Sequence, residues 1–300
     1  MEAFHKVSMK WFGLHEMEIA ESTAYSYQKR LNFINEYSFD QFILAIKGAG
    51  FISSKLLNSA MTLDFAYTLY LILQETPEIP KPQIKRYVQK WFVLSTLTFR
   101  YIASPETQMD RDMRSIQEKG FLNFLAEVEA FTLSDAFWTV SLPQNLETAS
   151  VNSPAFNVFL AAQVFLNCNS LLMNGTKVSD LITIAGDIHH IFPRAYLKKN
   201  GITSKIKYNQ VANYIYLDTQ VNKTISDAAP CDYFSRAFNQ CETKMIVLVN
   251  ITDPMLLERN LTENAIPLSV KDMDATHYDA FLLERRKRMA AMIKQYYMSL

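Results

Sequence analysis

The sequence predicts a mainly α fold into which one short strand–excursion–strand–helix unit is set. Three observations support this. Glycine is scarce, at 7 of 300 residues, while Phe (20), Tyr (15) and Met (13) are plentiful, a balance that favours helices packed through bulky side chains over a sheet rich in tight turns. Apolar residues recur at helical spacing up to about residue 180 and again near the C-terminus. Between about 181 and 230 the texture changes to short β-branched runs.

Ala60, Leu63, Phe65, Ala66, Leu69, Tyr70 and Leu73 share one side of a helix that Pro80 and Pro82 bring to an end. A second helix is expected from Gln83, with Ile84, Val88, Trp91, Phe92, Leu94 and Tyr101 on its apolar side. Ser134-Asp135 has the chemistry of a helix start, Pro143 that of a stop, and Asn174-Gly175 that of a turn. The apolar stretch 155–173 carries Asn157, Gln163, Asn167 and Asn169, whose amides are costly in lipid. It is therefore expected as a buried core helix and not as a membrane span.

A strand is expected to begin near Ile182 or later and to reach His189-His190. A second covers Asn213–Asp218, where Tyr214 and Tyr216 alternate with Ile215 and Leu217. Between them, Pro193 to Asn200 followed by Gly201 reads as a short helix with a glycine stop, and Val221 to Ser226 opens another helix. Asp279 to Tyr297 returns to helix, with Phe281, Leu282, Arg285, Met289, Ile293 and Tyr297 along it. Its basic run at 284–288 is open between a solvated face and a nucleic-acid contact. The expected division is a helical domain at 1–180, the strand-containing unit at 181–245 and a C-terminal helical segment at 246–300.

Lys+Arg and Asp+Glu are equal at 30 each, so the net charge is zero. That excludes a protein that coats nucleic acid through overall charge; any such contact needs a local patch. Cys168, Cys231 and Cys241 are too few and too scattered for a disulfide framework or a four-ligand zinc site, and are expected as buried thiols. The first seven residues show no basic-then-apolar leader pattern, so a cytoplasmic location is expected.

Two adjacent histidines at the end of a strand can divide labour. One imidazole can coordinate a divalent cation while the next, turned the other way, accepts a proton from water. Taken alone such a pair also occurs as a purely structural feature. Here Asn213 follows His190 by 23 residues and Asn222 follows Asn213 by 9. A strand–excursion–strand–helix unit folds back on itself, so Asn222 can supply a neutral oxygen ligand and Asn213 can pin the loop through side-chain to backbone hydrogen bonds.

The segment Asp-Ile-His-His-Ile-Phe-Pro at 187–193, with Asn-Gln-Val-Ala-Asn-Tyr-Ile-Tyr-Leu-Asp-Thr-Gln-Val-Asn-Lys-Thr-Ile-Ser-Asp-Ala-Ala-Pro at 209–230, resembles the HNH (His-Me finger, ββα-metal) nuclease motif. More closely it is similar to the C-terminal nuclease domain of GmrSD-like restriction and phage-defence proteins. The resemblance implies that His190 is the general base, that His189 and Asn222 hold the metal, and that Asn213, opening the second strand, belongs with His190 to the catalytic set. Trp91 to Tyr101 and Asp110-Arg111-Asp112 resemble, less specifically, the helical region ahead of that domain. Family members usually begin with a ParB-like nucleotide-binding domain bearing Asp-Gly-Gln-(Gln/His)-Arg. That signature is absent from this sequence, so the chain is expected to correspond to the C-terminal portion.

The activity so implied is metal-dependent hydrolysis of DNA phosphodiester bonds, with one Mg²⁺ or Mn²⁺ per site. Asp187 shares strand parity with His189 and is open between a second-shell or additional ligand and a strand-end residue. The segment 187–207 holds Arg194, Lys198, Lys199, Lys205 and Lys207 against one acid, the local patch that neutral total charge requires. Lys223 and Arg100 are further phosphate candidates, whereas Arg111 and Arg114 read as a solvated face. Expected partners are double-stranded DNA, a separate nucleotide-binding or target-recognition protein and a second copy of the chain, with no membrane. The alternatives are a catalytically silent nucleic-acid-binding or assembly module, and a helical scaffold with a structural His pair.

Overall fold

A computed structural model describes residues 35–300 apart from 185, 247 and 249. The first seven residues, on which the expected absence of a leader pattern rests, lie outside these. Among the described residues 68% are helical, and the strand content is one two-stranded antiparallel hairpin, so the mainly α class holds. The chain forms two compact units, one from the residues up to Lys47 with Ser59–Leu125 and Leu300, the other from Gly48–Asn58 and Ala126–Ser299.

In the first unit, α1 (Glu36–Gly48) is followed by α2 (Ala60–Gln74), which starts where the Ser59 hydroxyl accepts the Thr62 N–H at 3.2 Å. Pro80 caps α3 (Lys81–Leu97), and Pro82 falls in its first turn, where no N–H is needed. The two prolines therefore start a helix as well as separating two. Phe42, Phe65, Tyr67, Leu69, Trp91 and Tyr101 are buried between these helices. After α4 (Pro105–Lys119) the chain enters α5 (Phe121–Thr132).

In the second unit, Ser134 opens a helical segment as expected, its hydroxyl accepting the Phe137 N–H at 3.3 Å. Pro143 does not stop it. A π-helical turn at Phe137–Ser141 widens the backbone just ahead of the proline, and the chain continues through α6 (Leu142–Asn145) with Pro143 buried inside it. The apolar stretch forms α7 (Pro154–Phe165), shorter than the run of apolar residues because the chain turns at Asn167, where φ is 56°. Its amides are buried and paired: Asn157 Nδ2 donates to Asn58 Oδ1 at 3.0 Å and Gln163 Nε2 to Glu263 O at 3.0 Å. Segment 48–58 lies so close to α7 that a Cβ on Gly50 would stand 2.1 Å from Ala161 O. No helix among the described residues is long and apolar enough to cross a membrane.

The β-branched run near 182 is not strand. Asp180 accepts the Lys177 N–H at 2.9 Å and opens α8 (Val178–Thr183), which leaves only Ile188–His190 for the first strand. The long C-terminal helix, α14 (Tyr278–Ser299), packs against α6 and α7. Of the thiols, Cys168 and Cys241 are buried and Cys231 is half-buried, all three free.

One carboxylate in the first unit sets a pH dependence. Asp64 on α2 is half-buried, its carboxylate makes no hydrogen bond or ion pair among the described residues, and burial raises its pKa to about 6. A folded-state value above the unfolded one means that stability is highest below pH 3.8 and falls as the pH rises through 6. Asp64→Asn should therefore raise the urea midpoint near neutrality, by roughly 1 kcal/mol after solvent screening at a half-exposed site, with the gain vanishing at the acid end of that window.

Candidate functional site

The hairpin pairs β1 (Ile188–His190) with β2 (Tyr214–Tyr216) antiparallel, in the register Ile188↔Tyr216, His189↔Ile215, His190↔Tyr214. Side chains alternate along a strand, so His189 and His190 are turned to opposite faces. Pro193 ends the strand and caps α9 (Arg194–Lys199), and Gly201, at φ 84°, closes that helix as expected. The excursion continues through α10 (Lys205–Tyr208) and a 3-10 turn at Val211–Asn213. Asn213 thus precedes β2 and does not open it.

Asn213 has no exposed surface and uses its whole amide on the backbone. Oδ1 accepts the Phe192 N–H at 2.8 Å, while Nδ2 donates to Phe192 O at 3.1 Å and to Tyr208 O at 3.2 Å. The side chain therefore ties the end of β1 to the end of α10. It is a positioning residue and not a catalytic one, since nothing of it is left to meet a substrate. The buried Tyr233 hydroxyl, on α12 (Pro230–Thr243), donates to Ile191 O at 2.8 Å. The Tyr278 hydroxyl donates to Lys207 O at 3.0 Å.

Arg285, in the basic run of α14, is neither solvated nor available to nucleic acid. It is fully buried, with Nη1 donating to Ala212 O at 2.9 Å and Tyr214 O at 2.7 Å, and Nη2 to Asn264 O at 3.2 Å. Burial lowers its pKa to about 9, so the guanidinium stays charged at neutrality. Its neighbours Lys287 and Arg288 are exposed.

The two histidines differ in surroundings. Nε2 of His189 is buried and has no hydrogen-bond partner among the described residues, an arrangement that costs free energy unless something fills the position. Burial lowers its pKa, and the nearby Asp187 carboxylate acts in the opposite sense. His190 lies edge-on to the Tyr214 ring at 5.2 Å and places Nε2 3.0 Å from Asn209 Oδ1. Its pKa is also lowered, first by burial, with Arg194 and His189 adding to the effect and Asn209 opposing it. Both are neutral imidazoles near pH 7.

Asn222 sits on α11 (Thr219–Ile225), whose start is set by Asp218 accepting the Gln220 N–H at 2.8 Å and the Val221 N–H at 3.2 Å. It therefore lies one turn inside the helix and not at its head. The Asn222 side chain is half-buried, and its amide makes no hydrogen bond to another described residue, including either histidine. Asp187 is exposed at the mouth of β1. No group of three or more His, Cys, Asp or Glu able to hold a metal occurs among the described residues. A closed zinc site is thus not what the donor set offers. An imidazole nitrogen together with an amide oxygen would suit a cation that takes its remaining oxygens from water or phosphate, but no hydrogen bond joins His189 to Asn222 among the described residues.

Arg194, Lys198, Lys199, Lys205, Lys207 and Lys223 are all exposed. Lys199 is paired with Asp227, and Lys198 lies over the Tyr208 ring at 5.3 Å. Arg100 does not join them. It belongs to the first unit, where it is held at 2.6 Å by Asp112 and lies 5.2 Å from the Trp91 ring centroid. A side chain so engaged and largely buried is a packing element, not a phosphate ligand. Arg111 and Arg114 are exposed on α4, as a solvated face would be.

Asn209, Tyr233 and Arg285 support the candidate site; Asn209 opens the segment 209–230 with no role given to it there, and Tyr233 and Arg285 lie outside that segment. Only Arg285 had a signal, its place at helical spacing among Leu282, Met289 and Ile293. Comparison with protein-family models, with curated proteins and with solved structures finds no match to this chain.

Truncating the pin tests the geometry. Asn213→Ala leaves the Phe192 N–H and the Phe192 carbonyl without partners, while Tyr208 O keeps the Tyr278 hydroxyl, and should cost about 2–3 kcal/mol in chemical denaturation, with much faster hydrogen exchange at the Phe192 amide. A loss below roughly 0.5 kcal/mol would show that the loop is held by other means.

Proposed function

We propose that this chain is a metal-dependent endonuclease of the His-Me finger type, hydrolysing phosphodiester bonds of double-stranded DNA. The observation that carries the reading is the hairpin itself. It turns two neutral histidines to opposite faces, and the buried Nε2 of one has no partner among the described residues. A purely structural pair would be expected to satisfy that nitrogen. The resemblance of 187–193 and 209–230 to GmrSD-like proteins supports the finer reading and suggests a restriction or phage-defence setting.

In this reading His189 Nε2 and the Asn222 amide oxygen would hold one Mg²⁺ or Mn²⁺. Such an ion, when bound, supplies positive charge against the phosphate and the departing oxygen. His190 takes the proton from the attacking water, a task suited to an imidazole that is neutral at working pH. Arg194, Lys198, Lys205 and Lys207 gather the phosphate backbone at an exposed surface of a chain whose total charge is zero. Asn213 keeps the loop that follows His190 in place. A nucleotide-binding or target-recognition protein acting in trans, or a second copy of the chain, would complete the system.

Supercoiled plasmid incubated with Mg²⁺ or Mn²⁺ should be nicked, with activity abolished by chelation and reduced by about 10²–10⁴-fold in His190→Ala. Equal cleavage by that variant would falsify the assignment of the base. Binding without cleavage under either metal would instead identify a silent module. On the same plasmid, Lys198→Ala should weaken binding across sequences and reduce the salt dependence of log K by about one. An unchanged salt slope removes Lys198 from the DNA surface.

A further inference from the structure

We infer that Asn209 is the residue that fixes which nitrogen of His190 is free to accept a proton. A neutral imidazole has one N–H and one lone pair, and the partner of one nitrogen decides the state of the other. Asn209 presents Oδ1, an acceptor, 3.0 Å from His190 Nε2, so Nε2 carries the hydrogen and Nδ1 keeps its lone pair. Nδ1 makes no hydrogen bond among the described residues and is not among the buried, unpartnered atoms, so it is open to water. Nδ1 is therefore the basic atom, and Asn209 is a positioning residue acting through His190.

The backbone is arranged to hold Asn209 in that role. It follows α10 directly, its N–H donating to Lys205 O at 3.0 Å. The carbonyl before it, Tyr208 O, receives Asn213 Nδ2 at 3.2 Å and the Tyr278 hydroxyl at 3.3 Å. Two residues further on, the Val211 N–H donates to Thr148 O at 2.8 Å. The ring that Asn209 grips is bounded edge-on by Tyr214, so the imidazole is fixed both in rotation and in tautomer. Asn213, which matches the family motif, thus serves the base at one remove, by fixing the turn that carries Asn209.

The inference rests on His190 being the base of the proposed nuclease, but the tautomer can be read without metal or DNA. The chain has five histidines, and the His190 ring signals are assigned by their loss in His190→Ala. Long-range ¹⁵N–¹H correlation spectra of the intact, metal-free chain in mildly alkaline buffer should show His190 as a single Nε2–H tautomer. In Asn209→Leu the two ring nitrogen shifts should move toward each other as the tautomers mix. The isosteric Asn209→Asp retains an acceptor and should keep the single tautomer even if the leucine variant folds poorly. In plasmid cleavage the leucine variant should lose about 10–100-fold in kcat with KM little changed, and the aspartate variant should recover most of it. An Nδ1–H tautomer in the wild-type chain, or a leucine variant with unchanged shifts, overturns the role of Asn209. A tautomer shift in a chain that cuts no DNA upholds the grip on the ring and removes only the nuclease reading.

Discussion

A buried guanidinium with no carboxylate partner among the described residues sustains the hairpin. Three paired positions are too few for an isolated two-stranded sheet to persist in water, and one edge of β2 has no neighbouring strand. Asn213 O accepts the Ile191 N–H across the hairpin, so by alternation the carbonyls of Ala212 and Tyr214 face the other way, toward the open edge. Arg285 donates to both of those and to Asn264, which lies in a different segment. Burying a charge is costly unless hydrogen bonds replace its water, and backbone oxygens from two segments do so here. The open edge of β2 is closed by one side chain from a helix seventy-one residues further along the chain.

Around that edge the two histidines acquire different environments from one backbone. Strand alternation alone separates them, so a one-residue shift in register would exchange their faces. Asn213 guards against such a shift, because its three bonds join Phe192 and Tyr208, the residues that bracket the excursion. His190 is thereby given a defined partner and an aromatic wall, while His189 is left with a buried nitrogen that no described residue satisfies. One imidazole is organised from within the chain, and the other would, in the proposed reading, meet a ligand from outside it.

Local chemistry was legible in the sequence wherever a single turn or period decides the structure. Ser59 and Ser134 start helices, Gly201 closes one, and the order strand, excursion, strand, helix follows from texture and punctuation. Where the sequence was misleading, a more distant or subtler interaction had prevailed. Asp180 turns a β-branched run into α8, and a π turn carries the chain through Pro143. Arg100 and Arg285 look alike as basic residues on segments expected as helix, yet one answers Asp112 twelve positions away and the other answers carbonyls over seventy positions away. The motif places His189, His190, Asn213 and Asn222 along the chain but is silent about Asn209, whose role depends on how α10 is set down.

The hydroxyls of Tyr233 and Tyr278 have a further consequence for how self-contained the candidate site is. Each donates into the 187–222 region from helices that come later in the chain, Tyr233 to Ile191 and Tyr278 to Lys207. A segment cut at 181–245 would contain every residue of the motif but lack Tyr278 and Arg285, leaving Lys207, Ala212 and Tyr214 carbonyls with no donor. The chemistry is written in a short stretch, but that stretch is not portable. Grafting it onto another scaffold would transfer the proposed ligands and base without the framework that orients them, whereas an exchange that includes α14 would move the candidate site together with its supports.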